Sequence, residues 1–200
     1  MARNYESDNT LLRVWLLLHR VRDALALCED SMLAEYGITT EQFGVLASVR
    51  SRGGSLRPTD LASILERSPN SISMLVDRMV KAGLVKRTRD RVDRRVVNVA
   101  LTDKGKKAVE PAVPAAWKFI QKILSPVSGQ DMRALASLLE TVKCECLAYL
   151  NPEKDVAEII KNSVTNQPSL YERMLKNLLP SGHAAKRQVG GKGKAKRKAV

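Results

Sequence analysis

The chain has 200 residues, 44% of them hydrophobic but only 4% aromatic, with 34 Lys and Arg against 21 Asp and Glu for a formal charge of +13. That length suits one domain with room for an extension, and a chain rich in Leu, Ala and Val but poor in aromatics favours helices. The basic excess points to anionic partners and excludes no fold, whereas the lack of a long apolar run argues against a membrane span.

Leu16-Leu17-Leu18 is too short to cross a bilayer and runs into His19, Arg20 and Arg22. The N-terminal residues lack the basic-then-apolar order of a secretion signal. Three cysteines without framework spacing fit a reducing compartment, so a cytoplasmic location is expected. The charge is uneven. Residues 183–200 hold seven basic side chains and no acid, more than half of the whole excess.

From Thr10 to about Glu35, Val14, Leu18, Val21, Leu25, Cys28 and Met32 recur at spacings of four and three, which predicts one long helix. Leu12, Trp15, Leu16 and His19 widen its apolar surface, so this helix needs more than one packing partner. Gly37 ends it as a left-handed cap. Thr39 and Gln42 form a capping box for a second helix reaching about Arg50, with Ile38 and Phe43 placed as a hydrophobic staple. Gly53-Gly54-Ser55 breaks the chain. Pro58 opens a third helix that ends near Glu66; Ser68 then caps a fourth, with Pro69 first and Gly83 closing it.

Along the fourth helix Ile72, Leu75, Val76, Met79 and Val80 share one face. Asn70, Ser71, Met74, Asp77, Arg78 and Lys81 share the other, with Ser73 nearby. Two short helices joined by a three-residue turn match helix-turn-helix geometry. Leu84–Thr88 and Val96–Leu101 read as strands, linked by a loop holding Arg89, Arg91, Arg94 and Arg95. Thr102 caps a fifth helix. Pro111 and Pro114 interrupt it, and interior proline costs about 3 kcal/mol, which predicts a kink or a break and restart. A sixth helix is expected over Gln130–Leu150, with Leu135, Leu138, Leu139, Val142, Cys146 and Tyr149 in one stripe. A weaker amphipathic extension occupies 151–180, and the Gly/Lys/Ala-rich tail, 181–200, cannot bury enough surface to fold alone.

Gly37-Ile38-Thr39-Thr40-Glu41-Gln42-Phe43, Asp60-Leu61-Ala62, Val76-Asp77-Arg78-Met79, Gly83-Leu84-Val85-Lys86-Arg87, Asp93-Arg94-Arg95 and Leu101-Thr102-Asp103-Lys104-Gly105 together resemble the MarR family of bacterial transcriptional regulators. The blocks keep the family's order and spacing over about Leu11 to Leu150. The resemblance implies a mainly α fold with a small β-hairpin wing, a winged helix-turn-helix DNA-binding domain (about 56–101) within a 1–150 regulator. It also implies a homodimer paired through helices at about 9–35 and 102–150. The fourth helix would read a palindromic operator in double-stranded DNA, and a small aromatic ligand or thiol oxidation would release a repressor. The prolines at 111 and 114 and the fifty residues after Leu150 depart from the family pattern.

The residues support that reading on their own chemistry. Asn70, Ser71, Ser73 and Met74, beside the cap Ser68, are short or flexible enough to approach base edges; Asn suits adenine and Met the thymine methyl. Arg78, Lys81, Arg87, Arg91, Arg94 and Arg95 are the phosphate and minor-groove candidates. Asp77 shares the DNA face and needs a basic partner there. Arg95 is the choice made from sequence, and the resemblance points to the same brace between helix and wing. Lys186, Arg187, Lys192, Lys194, Lys196, Arg197 and Lys198 form a flexible arm suited to phosphates without base specificity.

An effector pocket between the first and fifth helices is drawn from Trp15, His19, Phe43 and Trp117, with Arg22 to hold a carboxylate; core and dimer packing is the slightly preferred account of the same residues. Cys28 and Cys146 fall on apolar stripes and read as buried thiols, while Cys144, between Lys143 and Glu145, reads as exposed. With only His19 and His183 and no ligand spacing, neither metal nor cofactor is expected, and no nucleophile with a matching base marks an enzyme. Two rival readings remain: an architectural protein coating DNA without sequence preference, and a thiol-based redox sensor.

Overall fold

The structure is a computed structural model that describes residues 9–89 and 94–153. Helix α1 (Asn9–Ala34) gives way to Gly37 at φ 67°, the left-handed stop that glycine permits. The capping box of α2 (Thr40–Ser51) is complete. Thr39 Oγ1 accepts from the Gln42 N–H at 3.3 Å, and the Thr39 N–H donates to Gln42 Oε1 at 3.1 Å. The Asp30 carboxylate accepts from both the N–H and the hydroxyl of Thr40, at 3.0 and 2.7 Å, tying the end of α1 to the start of α2. Those two bonds hold the Asp30 carboxyl below its ordinary range.

Helices α3 (Pro58–Ile64) and α4 (Pro69–Lys81) start on proline as expected, and Glu66 between them takes a left-handed φ of 51°. Ile72, Leu75, Val76 and Met79 of α4 are buried, but Val80, assigned to the same face, is 37% exposed at its margin. Three strands form one antiparallel sheet in the order β1-β3-β2, where β1 is Ser55–Leu56, β2 Val85–Arg89 and β3 Val97–Leu101. The hairpin register pairs Val85 with Leu101 and Arg89 with Val97. Strand β1 was not foreseen: two residues carry no readable alternation, and they become a strand only because Leu56 is buried opposite Val99 on the free edge of β3. Val45, Leu46 and Val49 of α2, Leu61 of α3, the buried face of α4, Val85, Val99 and Val109 make one core.

Helix α5 runs unbroken from Asp103 to Leu124 through both prolines, so the expected break and restart does not occur. The physical reason is position. Pro111 and Pro114 lie on the exposed side, as do Lys107 and Glu110, whose carbonyls lose their helical donors and can turn to water. At its start α5 is fastened to the end of α4. Thr102 Oγ1 accepts from the Gly105 N–H at 3.1 Å and donates to the Gly83 carbonyl at 2.6 Å, while Lys104 Nζ donates to the Ala82 carbonyl at 2.8 Å. The Leu-Thr-Asp-Lys-Gly block is thus a clamp between the fourth and fifth helices.

Helix α6 (Gly129–Leu150) is capped by Ser128 and buries no residue in a single chain. Leu135, Leu138, Leu139, Val142 and Tyr149 on α6, and Leu11, Leu12, Trp15, Leu17 and Val21 on α1, face outward. This placement reverses the cysteine expectation: Cys28 and Cys146 are exposed and Cys144 is half-buried, because most of the stripe around Cys146, and that of Cys28 before Met32, is left uncovered by the protomer's own core. The basic tail at 181–200, and all but the first three residues of the extension at 151–180, lie outside the described residues.

Candidate nucleic-acid interface

The outward flank of α4 carries the candidate site. Ser68 Oγ accepts from the Ser71 N–H at 3.1 Å and donates to Ser71 Oγ at 2.9 Å, so both hydroxyls serve the cap that fixes the first turn. Asn70 and Ser71 are exposed and Ser73 is half-buried. Met74 is 60% exposed, a large apolar side chain displayed on an otherwise polar flank. Arg78 and Lys81 continue the same flank one and two turns on. Because the opposite face is locked into the core, rotation of α4 about its axis is fixed, and these side chains cannot turn inward without unpacking Ile72, Val76 and Met79.

The wing stands beside this flank. Among the described residues, Asp77 forms its ion pair with Arg87 of β2, at 2.7 Å, and not with Arg95, the partner expected from sequence. The Gly83 turn brings β2 directly back along α4, which puts Arg87 opposite Asp77, whereas Arg95 belongs to the far end of the hairpin. Arg94 and Arg95 are exposed there, and Arg91 lies outside the described residues. Among the described residues, the ion pair joining α4 to the hairpin is therefore anchored on the strand.

Sequence reasoning missed two residues of this surface. Glu41, in the first turn of α2, accepts from Arg67 at 2.7 Å and lies 3.7 Å from Arg78. With Ser71, Met74 and Lys81 these residues line an open groove of about 480 Å³ along α4. Nothing in the sequence marks Glu41, since a glutamate in a first helical turn is fully explained by the helix dipole. Its second role exists only once α2 and α4 are packed.

Comparison with known proteins places this arrangement. The MarR family model matches residues 36–96, from the second helix to the wing. Over 136 residues the chain is 30% identical to the HTH-type transcriptional regulator PecS of Dickeya dadantii, spanning 67% of this chain and 78% of that protein. The chain belongs to the MarR family. A mutant of MarR from E. coli, solved in complex with operator DNA, is similar at a TM-score of 0.59 and 25% identity, over 70% of this chain and 99% of that one. The organohalide-sensing RdhR regulator in its 2,4-dichlorophenol-bound form shares the fold at a TM-score of 0.64 and 21% identity, over 74% and 88% of the two chains.

This MarR-family chain is accordingly a DNA-binding transcription regulator with a winged helix-turn-helix fold. The residues assigned to an effector pocket are more dispersed. Trp15 and His19 meet edge to face with ring centres 4.9 Å apart. Phe43 packs against the core from α2, and Trp117 is half-buried on α5. Arg22 is engaged by its neighbour Asp23 at 2.8 Å, with both side chains exposed. Among the described residues no cluster of three or more His, Cys, Asp or Glu could hold a metal ion.

Proposed function

We propose that this regulator is a homodimeric repressor of a palindromic operator, released by a small aromatic ligand. The carrying observation is the division of α4 into a buried apolar face and an exposed face of Asn70, Ser71, Met74, Arg78 and Lys81. A helix so displayed can enter a major groove, with Asn70 suited to an adenine edge, Met74 to a thymine methyl, and the exposed cations of helix and wing to the flanking phosphates. Two copies related by a two-fold axis would place their recognition helices in successive grooves, about 34–36 Å apart. The outward apolar faces of α1 and α6 favour that pairing. Arg94 and Arg95 at the wing tip would reach the adjacent groove, and the basic tail would add sequence-independent attraction.

Support for the ligand comes from the dichlorophenol-bound structural neighbour and from the ring contact of Trp15 with His19 on α1. The deciding experiment is a gel shift with the intergenic DNA beside the protein's own gene, searched for an inverted repeat. A preference of roughly 10³ or more over random duplex is expected. Equal affinity for both would hand the function to the architectural reading.

A further inference from the structure

A surface built to meet phosphates gains nothing from a free-standing carboxylate, yet Glu41 borders the groove along α4. Its Oε1 accepts from Arg67 Nη1 at 2.7 Å, and its Oε2 lies 3.7 Å from Arg78 Nη2. The side chains of Glu41, Arg67 and Arg78 are 42%, 47% and 68% exposed, so these are not buried bridges holding the fold together. Exposed pairs of this kind contribute little to stability. What remains is their effect on whatever the groove meets.

We infer that Glu41 suppresses sequence-independent DNA binding by holding Arg67 and Arg78 away from phosphates. Two effects act together. A guanidinium already engaged by a carboxylate must share or break that pair before it can displace a counterion from DNA. The carboxylate itself repels any phosphate drawn to the groove, at a range where salt screens it only partly. Non-specific binding consists almost wholly of phosphate contacts, so it bears the full cost. Binding is thereby made to depend on the base contacts of Asn70 and Met74. The inference rests on the reading of the α4 flank as the DNA-facing surface.

Fluorescence anisotropy of the full chain with a random-sequence duplex, titrated between 50 and 200 mM salt, tests it. Glu41→Gln is expected to bind several-fold more tightly at the low end, with a log–log salt slope steeper by about 0.9 for each phosphate newly contacted. Most of that gain should be lost when Glu41→Gln is made on an Arg67→Ala, Arg78→Ala background, where only the carboxylate's own repulsion of phosphates is left to relieve. Unchanged or weaker binding by Glu41→Gln overturns the inference. Lys81→Ala separates the two possible failures. If it leaves both affinity and slope unaltered, the α4 flank does not face DNA and the site itself is misread; if it weakens binding while Glu41→Gln fails to strengthen it, only the role of Glu41 falls.

Discussion

At Asp77 two electrostatic effects oppose each other. Its carboxylate would repel phosphates, but its 2.7 Å bond to Arg87 joins α4 to β2 and, on our proposal, orients the wing on the helix. An exposed pair is worth up to about 1 kcal/mol, which corresponds to roughly fivefold in affinity. Asp77→Asn should therefore lower the preference for operator over random duplex by up to about fivefold, because loss of the carboxylate helps both DNAs equally while loss of the brace harms only the ordered complex. A preference that holds steady in competition binding would show that Asp77 does not orient the wing. Asn70→Ala has no opposing term: it should cost about 1–3 kcal/mol on the operator and little on random DNA. Gly105 shows a different residue-level constraint. A Cβ there would collide with the Leu84 carbonyl oxygen and press on the Leu46 side chain. Neither the backbone of β2's lead-in nor the core leucine can yield freely, so Gly105→Ala should destabilise by about 2 kcal/mol or more, read as a lower urea midpoint.

Among the elements, those with local chemical signals were legible and those created by packing were not. Thr39 with Gln42, Ser68 before Pro69, and glycines at 37 and 83 fix the helix ends through bonds within a few residues, and each stands where sequence placed it. The two faces of α4 were equally plain, apart from Val80 at the boundary. Strand β1 could not be seen, because Ser55 and Leu56 gain their pairing only from β3, more than forty residues on. The sequence shows that Asp77 needs a basic partner but not that Arg87 pairs with it, since loop and strand positions differ only after the hairpin is folded against α4. Helix α5 continues where a break was one of the two expected outcomes. Each proline removes one hydrogen bond, yet Ala112, Val113 and Val109 on the opposite side are buried and keep the helix whole. If packing is overriding a local cost, removing that cost must show as added stability. Pro114→Ala should raise the urea midpoint by the equivalent of about 1–3 kcal/mol, measured at one fixed protein concentration because association also shifts the midpoint. A neutral or lower midpoint would mean that proline's restriction of the unfolded chain outweighs the missing bond.

For the molecule as a whole, the uncovered apolar surface of α1 and α6 has to be reconciled with a chain that carries a strong net charge and, among the described residues, no helix long and apolar enough to cross a membrane. Soluble monomers seldom leave apolar patches larger than a few hundred Å² open to water. Two copies pairing through these helices would close the patch, place Cys28 and Cys146 in a dry environment, and set two α4 helices on one face of a duplex. The clamp of Thr102 and Lys104 onto Gly83 and Ala82 would then carry the position of α5 directly to the recognition helix. Lys143 of α6 reaches the helix-turn-helix turn as well, donating to Glu66 at 2.7 Å. Leu138 is the side chain on which to test this, being 65% exposed on α6 and outside the protomer's core. Leu138→Glu should leave the protomer folded but introduce two facing carboxylates at the two-fold interface. Sedimentation is expected to show a monomer, and the melting temperature should lose its dependence on protein concentration. Operator affinity should fall by about 10²–10⁴, the factor that tethering two half-site binders confers, while binding to a single half-site stays unchanged. A Leu138→Glu protein that still sediments as a dimer and holds the full operator would exclude this face of α6 from the pairing surface.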